Sequence, residues 1–317
     1  MILVTGGTGF IGRVLIRQLI EAGYPVRVLL RPSPDTPKLP RGVPLEVAVS
    51  SLSDPRGLQA AMVGVEVVYH LAGAEWQGSG ANLLETDIQG SRAVAEAAAQ
   101  AGVDRLFTVS HLGADRASAY PVFKAKAIAE EHIRRSGVDF TILRSALVFG
   151  PNDGFTTGLA RLLYALPYVF LMPGDGSTLL QPLWVEDLAT CLVWALDDER
   201  TRNMVYEIGG PEYLAFRQII QMIMRALGIE RTLLAVRPPY LRALTIVLES
   251  VFPALPVSTF WLDYLATNRT CSLDTIPSSF GLLPSRFSSH LDYLSGRNWR
   301  REVWQMLLKR KNVRPRA

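Results

Sequence analysis

The feature that most constrains this chain lies in its first twelve residues, Met-Ile-Leu-Val-Thr-Gly-Gly-Thr-Gly-Phe-Ile-Gly. An apolar run, Ile2 to Val4, breaks into glycines at Gly6, Gly9 and Gly12, and an amphipathic stretch, Val14 to Ala22, follows. Strand, glycine turn and helix in that order leave unpaired backbone N–H groups converging on one point. Together with the positive end of the helix dipole, those donors make a diphosphate site. Thr8, Phe10, Ile11 and Arg13 are expected to border it beside the three glycines.

The same strand-and-helix rhythm continues through the first half of the chain. Apolar runs at Ile2–Thr5, Val26–Leu30, Leu45–Val49, Val65–Leu71, Arg105–Ser110 and Phe140–Val148 read as strands. Helical patterns fill 13–22, 55–63, 86–101 and 121–136. Strands separated by helices imply right-handed crossovers and a parallel sheet covered on both faces. The expected fold class is therefore α/β, a doubly wound parallel sheet of the Rossmann kind, with ligands gathering at the strands' carboxyl ends.

After Pro151 the rhythm changes. Helices are expected at 156–166, from about Val185 to Leu196, and over 212–228, and Met204–Gly210 reads as a strand rejoining the main sheet or its edge. We expect a dinucleotide-binding domain over 1–150, a smaller, partly interleaved lobe over 151–296, and a basic amphipathic tail over 297–317. The apolar content of 49% excludes disorder, and two cysteines, Cys191 and Cys271, make neither a disulfide framework nor a metal cluster. His70 and His111 match no metal-ligand spacing either. His70 reads as a core histidine, and His111 neighbours the expected cleft. The glycine motif opens the chain, so no leader peptide is expected, and the reading is cytoplasmic. No run of eighteen apolar residues is free of interruption, so no membrane span is expected.

These features resemble the short-chain dehydrogenase/reductases of the extended and atypical kinds, over roughly residues 1–225. The resemblance rests on Thr5-Gly-Gly-Thr-Gly-Phe-Ile-Gly12, Val68-Tyr-His-Leu-Ala-Gly73, Val109-Ser110, Thr141-Ile-Leu-Arg144, Phe149-Gly-Pro151 and Gln181-Pro-Leu-Trp-Val-Glu-Asp187. Ser110-His-Leu-Gly-Ala-Asp115, Lys126-Ala-Ile-Ala-Glu130 and Ser136-Gly-Val-Asp-Phe-Thr-Ile-Leu-Arg144 are similar to the atypical branch. That branch contains NmrA-like proteins and the nucleotide-binding accessory subunit of respiratory complex I. The resemblance implies a bound pyridine dinucleotide, contacted also by Leu71, Ala72 and Gly73 and by Ser51 and Leu52 after the third strand. Family members often carry an aspartate at that last point, where this chain has Ser50-Ser51-Leu52. Asp54 precedes Pro55 and reads instead as a helix cap.

Charge argues the choice of nucleotide. NAD-specific folds place an acid about twenty positions past the glycines, on the ribose 2′-hydroxyl. Here the second strand ends in Leu29-Leu30-Arg31-Pro32. Arg31, joined by Arg13, suits a 2′-phosphate, so NADP is expected and NAD remains the alternative.

Catalysis in active family members needs a tyrosine, a lysine four residues later and a serine from the preceding strand end. A phenol with a free pKa of about 10 transfers a proton near neutrality only beside a cation. Tyr120-Pro-Val-Phe-Lys124 has this spacing, but Pro121 suits a first helical turn, which leaves Tyr120 before or at the cap. At about 100° per residue, Val122, Ala125, Ala129 and Ile133 form one apolar stripe with Lys126 at its edge, while Lys124 faces away. In that register the tyrosine has become Val122, and Ser110 and Lys126 remain to hold a nicotinamide ribose. A working Tyr120/Lys124 pair is the alternative, so whether the chain is an enzyme stays open.

The function this implies is an NAD(P)H-binding, NmrA-like protein whose nucleotide serves structure, sensing or assembly, beside a membrane-associated complex or quinone pathway. The alternative is an NADP-dependent oxidoreductase or epimerase/dehydratase acting on a small apolar carbonyl or quinone-like substrate. Residues 238–265 carry more aliphatic and aromatic side chains than a solvated cap needs, which suits a lobe core, an apolar pocket or a docking face. The tail holds eight basic residues (Arg297, Arg300, Arg301, Lys309, Arg310, Lys311, Arg314 and Arg316) against Glu302, a net +7 that leaves the body at −3. Trp299, Val303 and Leu307 share a helical face, with Trp304 and Leu308 beside them. That stripe suits either a membrane interface or packing on the lobe. Contacts with a protein complex or with the inner face of a membrane are thus expected through 238–265 and 297–317. A nucleic-acid partner is not.

Overall fold

Ile2, Leu3 and Val4 point alternately to opposite faces, and all three are buried, so their strand is covered on both sides. The computed structural model describes every residue except 35–38, 40, 41, 43, 75–81, 252–256 and 309–317. The chain runs from β1 (Ile2–Thr5) through α1 (Phe10–Glu21), β2 (Val26–Leu30), β3 (Glu46–Val49) and α2 (Pro55–Ala61) to β4 (Val67–His70). A π-helical turn, Leu84–Gln89, continues into α3 (Gly90–Gln100), followed by β5 (Arg105–His111), α4 (Pro121–Arg134) and β6 (Asp139–Ser145). Next come β7 (Val148–Phe149), α5 (Thr156–Ala165), β8 (Val169–Pro173), β9 (Leu179–Leu180), β10 (Leu183–Trp184) and α6 (Val185–Asp197). The rest comprises β11 (Met204–Ile208), β12 (Leu214–Ala215), α7 (Phe216–Leu227), β13 (Thr232–Val236), α8 (Pro238–Val251), α9 (Thr259–Tyr264), α10 (Thr275–Phe280) and α11 (Trp299–Leu308).

Seven strands form one parallel sheet in the order β11-β6-β5-β4-β1-β2-β3. This is the doubly wound Rossmann arrangement. Leu15, Ile16 and Leu19 of α1 pack with Leu188 and Leu192 of α6 on one face. Leu58, Val94, Ala98 and Ile133 of α2, α3 and α4 cover the other. Each of these leucines, isoleucines and valines contributes roughly 1.5–3 kcal/mol on burial. The strand order reverses between β1 and β4, where Thr5 pairs with His70, and ligand crevices form at such a switch point.

Several boundaries differ from expectation. α1 starts at Phe10, because Gly9 ends the turn in an extended conformation and the helix follows at once. The pattern over 86–101 divides into the π-helical turn and α3. The run ending at Val148 is not one strand: β6 stops at Ser145, and β7 pairs with β10 outside the main sheet. The helix expected from 212 begins at Phe216, after the Gly-Gly-Pro bend; its first turn is closed by Gln218 Oε1, which accepts from Ala215 N at 2.8 Å.

The two halves of the chain interpenetrate. β11 pairs with β6, and Ile276 and Phe280 of α10 enter the layer between α1, α6 and the sheet. A separate core in the second half gathers Leu159, Phe170, Phe216, Ile220, Phe260 and Trp299. Trp299 is 1% exposed and its indole N–H donates to Leu294 O at 2.8 Å. Glu302 pairs with Arg161 and Arg297, and Arg297 lies over the Trp299 ring. The start of the tail is therefore packed on the lobe, and Trp304 is the tryptophan left exposed. The side chains of Leu307 and Leu308 lie outside the described residues, as do Phe252, Lys309, Arg310, Lys311, Arg314 and Arg316. No helix among the described residues is long and apolar enough to cross a membrane.

Candidate functional site

β1 ends at Thr5, and the chain turns at Gly6 with φ +71°, a conformation that side chains disfavour. A Cβ there would stand 2.5 Å from the Leu71 carbonyl carbon, so Gly6 lies directly against the Leu71–Ala72 backbone. Gly9 N donates to Gly6 O at 2.9 Å, and a Cβ on Gly12 would stand 2.8 Å from Gly7 Cα. The turn is therefore closed by glycine-only contacts. No side chain caps α1, and its first turn holds no acid. Its leading N–H groups thus face outward beside exposed Thr8 and Gly9. Phe10, Ile11 and Arg13 are partly buried around this end, with Arg13 Nε donating to Gly9 O at 3.3 Å.

The remaining expected nucleotide contacts fall at the carboxyl ends of neighbouring strands. Arg31 follows β2 and is exposed. Ser51 and Leu52 follow β3, held near by Ser50 N donating to Leu30 O at 2.9 Å. Leu71, Ala72 and Gly73 follow β4, and Ser110 is the penultimate residue of β5. One sheet edge thus brings together every residue singled out except Lys126 and Tyr120. Asp54 caps α2, its carboxylate accepting from Arg56 N at 3.2 Å.

α4 supplies those two. Tyr120 occupies its N-cap in an extended conformation, half-buried against Phe123, while Lys124 is exposed. Val122 and Lys126 are both buried on the inward face. Glu130 sets the rotation of the helix: it is buried and accepts from Arg144 Nη2 of β6 at 2.8 Å. The Lys126 ammonium lies 2.8 Å from Asp87 Oδ1, and Asp87 Oδ2 accepts from Ala74 N at 3.0 Å. Sequence reasoning missed Asp87. Its signal was available, because it shares a helical stripe with Ser91, Val94 and Ala98, where a carboxylate needs a partner.

Behind this pair sits His70. Its ring nitrogens bond Thr5 Oγ1 at 2.7 Å and Ser91 Oγ at 2.9 Å, which ties β4 to β1 and α3. Burial, with the nearby Lys126 charge as a smaller cause, pulls its pKa down to about 3, so the ring is neutral.

The second half contributes residues that sequence reasoning did not assign. The His111 ring is 6.2 Å from each of Phe123, Phe260 and Tyr264. Arg269 is 6% exposed and lies 3.8 Å over the Phe123 ring. Its Nη1 donates to Leu112 O and its Nε to Tyr264 O, both at 3.3 Å, and no carboxylate pairs with it among the described residues. Burial pulls its pKa down. Among the described residues, Ser110 Oγ and the Tyr264 hydroxyl are buried without a hydrogen-bond partner. Burial raises the Tyr264 phenol well above its ordinary value, and the Arg269 charge opposes that rise. No local signal marks Tyr264 or Arg269, which reach β5 only through tertiary packing.

The Gln181–Asp187 motif serves a different purpose. Gln181 Nε2 donates to Gly210 O at 2.8 Å, and its Oε1 accepts from Cys271 N at 2.7 Å. Glu186 pairs with Arg17 of α1, and Asp187 accepts from Ser285 N at 2.6 Å. The motif thus fastens the lobe to the sheet.

Three parts of this edge suit a dinucleotide: a cradle that any Cβ would fill, an uncapped helix end, and a buried serine hydroxyl lacking a partner. Comparison with known proteins agrees. Residues 6–161 match the NAD(P)H-binding family. The chain is 32% identical over 227 residues to the mitochondrial NADH dehydrogenase [ubiquinone] 1 alpha subcomplex subunit 9 of Arabidopsis thaliana. That match covers 69% of this chain and 56% of the plant protein. It is 33% identical over 193 residues to the ceramide reductase of Caulobacter vibrioides, covering 61% of this chain and 60% of the relative. The chain thus spans less than two thirds of either relative's length. In fold it is similar to the triphenylmethane reductase of Citrobacter sp. complexed with NADP(H). The TM-score there is 0.70 at 19% identity, over 92% of this chain and 98% of the other.

Proposed function

The chain carries an NAD(P)H-binding domain similar to those of the atypical short-chain dehydrogenase/reductases, and from that premise we propose that its nucleotide serves structure and assembly. One observation carries this reading: on the buried face of α4, the residue one turn before Lys126 is Val122, which has no proton to give. Lys126 is moreover engaged by Asp87. The glycine turn and α1 would hold the diphosphate, and Ser110 and Lys126 the nicotinamide ribose. Arg31 and Arg13 favour NADP over NAD, since both are cations and β2 is followed by Arg31 where an NAD-specific fold would carry an acid. A bound pyridine nucleotide offers hydride chemistry at its nicotinamide; the residues around it hold and orient it.

The partner in this reading is a membrane-associated assembly, and the similarity to a protein named as a subunit of an NADH dehydrogenase subcomplex supports an assembly role. We assign that contact to α8. Tyr240, Leu244, Val247 and Val251 form one outward stripe on it, with exposures between 40% and 69%.

A second reading, an active reductase, is favoured by the Tyr264 hydroxyl, buried beside His111 with Arg269 close by. The ceramide reductase relative supports the same alternative. The deciding experiment mixes the purified chain with NADPH and a carbonyl panel and follows absorbance at 340 nm. Tight binding without oxidation is expected. Turnover that Tyr264→Phe abolishes and Tyr120→Phe spares would establish the reductase instead.

A further inference from the structure

A half-open cavity between α5, β8, α8 and α9 has a volume of about 120 Å³. Leu159 and Leu162 line it from α5, Phe170 from β8, Leu241 and Leu248 from α8, and Trp261 from α9. Among the described lining residues none carries a titratable group. The polar groups on side chains there are the Trp261 indole N–H and the hydroxyls of Thr245 and Ser258, and Ser258 Oγ is engaged in accepting from Phe260 N at 3.2 Å to cap α9.

The lining decides what can enter. A charged or strongly polar group would lose its hydration with nothing to replace it, so phosphates, carboxylates and sugars are excluded. Water is excluded on the same ground, because an ordered water needs two to four polar partners. At about 120 Å³ the cavity is smaller than most sites for whole small molecules, and its room suits part of one slender chain. What remains is uncharged hydrocarbon. From this we infer that the cavity binds the alkyl or prenyl chain of a lipid, with the polar head left at the mouth.

A second observation agrees. The wall at α8 turns Leu241, Thr245 and Leu248 inward; Tyr240, Val247 and Val251 lie exposed beside them, and Leu244 borders both the cavity and that exposed stripe. A contiguous exposed apolar stripe of this kind marks a surface that meets another apolar surface. On the opposite side of the cavity, Trp261 packs 5.0 Å from Phe260 and 5.8 Å from Tyr264, which in turn face His111. One aromatic layer therefore separates the chain-binding cavity from the Ser110 end of the sheet. The inference stands apart from the nucleotide reading, since no residue of the glycine turn lines the cavity.

The test titrates the purified full chain with cis-parinaric acid, a polyene fatty acid that fluoresces in apolar surroundings. Saturable binding of one molecule per chain is expected, displaced by hexadecanol or farnesol. Straight-chain competitors should weaken about fourfold for each methylene removed. Leu248→Trp and Gly158→Leu fill the cavity from different walls, and each should weaken parinarate binding at least tenfold. NADPH affinity serves as the folding control for both variants and should stay unchanged. Absence of saturable binding, or binding that neither alcohol displaces, would overturn the inference. So would equal binding by a filled variant that still takes NADPH. Loss of NADPH affinity with parinarate binding intact would count against the nucleotide reading alone.

Discussion

The opening turn and the aromatic cluster around His111 approach the same sheet edge, and they are built in opposite ways. At the turn the main chain does the work. Gly6, Gly9 and Gly12 contribute no side chains, and their absence lets backbone donors and the helix end converge within eight residues. At the cluster the main chain only delivers side chains. His111 comes from β5, Phe123 from α4, Phe260 and Tyr264 from α9, and Arg269 from the loop beyond it. A backbone site is specified locally and tolerates no added atom. A side-chain site depends on distant packing and can be re-equipped by single substitutions.

The largest expected effect tests whether the second half stands on its own core. Trp299→Ala should cost roughly 3–5 kcal/mol in urea unfolding, by removing a buried ring and its hydrogen bond. Trp304→Ala, at an exposed position on the same helix, should stay within about 0.5 kcal/mol. Equal effects would break the distinction between the packed and exposed sides of the tail. Next, Gly12→Val forces a side chain onto the Gly7 backbone and should lower NADPH affinity about a hundredfold or more by calorimetric titration. Undiminished affinity would remove the backbone cradle from the account.

A smaller effect probes the rim of the turn. Arg31→Glu should weaken NADPH about tenfold relative to NADH, since a carboxylate repels the 2′-phosphate that a guanidinium would pair. An unchanged ratio would leave the nucleotide preference unexplained by Arg31. The smallest concerns the polar seam beneath the site. His70 is held neutral with its pKa near 3, whereas the unfolded ring titrates near 6.5. Protonation therefore favours the unfolded chain: the stability is complete above pH 6.5 and drains away as pH falls toward 3. Moving from pH 7 to 5.5 should cost about 1 kcal/mol from this group, and His70→Asn should flatten that part of the profile. An unaltered slope in the variant would show that other groups dominate.

Much of the fold was readable before any coordinates. All six strands of the alternating series exist, and β11 joins the sheet at its edge. The misplaced boundaries share a cause: hydrophobic pattern marks burial, not where hydrogen bonding stops. Leu147 and Val148 are buried like the strand before them, yet β6 ends at Ser145 because the chain turns to pair with β10. The site divides the same way. The register of α4 could be read from its apolar stripe. The pairing of Lys126 could not: Asp87 stands out on its own stripe, but it lies thirty-nine positions away on another helical segment.

What the amino-acid order determined alone was local: a glycine turn between strand and helix, the parallel sheet that such alternation demands, and the register that puts Val122 and Lys126 on the buried face of α4. Those follow from steric limits and periodicities that act over a few residues. Folding in three dimensions decided which buried polar groups meet. It set Lys126 against Asp87, brought Tyr264 and Arg269 up to His111, took Trp299 into the core, and left an apolar cavity behind α8. Such contacts arise from packing between segments far apart in the chain, and no window along the sequence contains both partners.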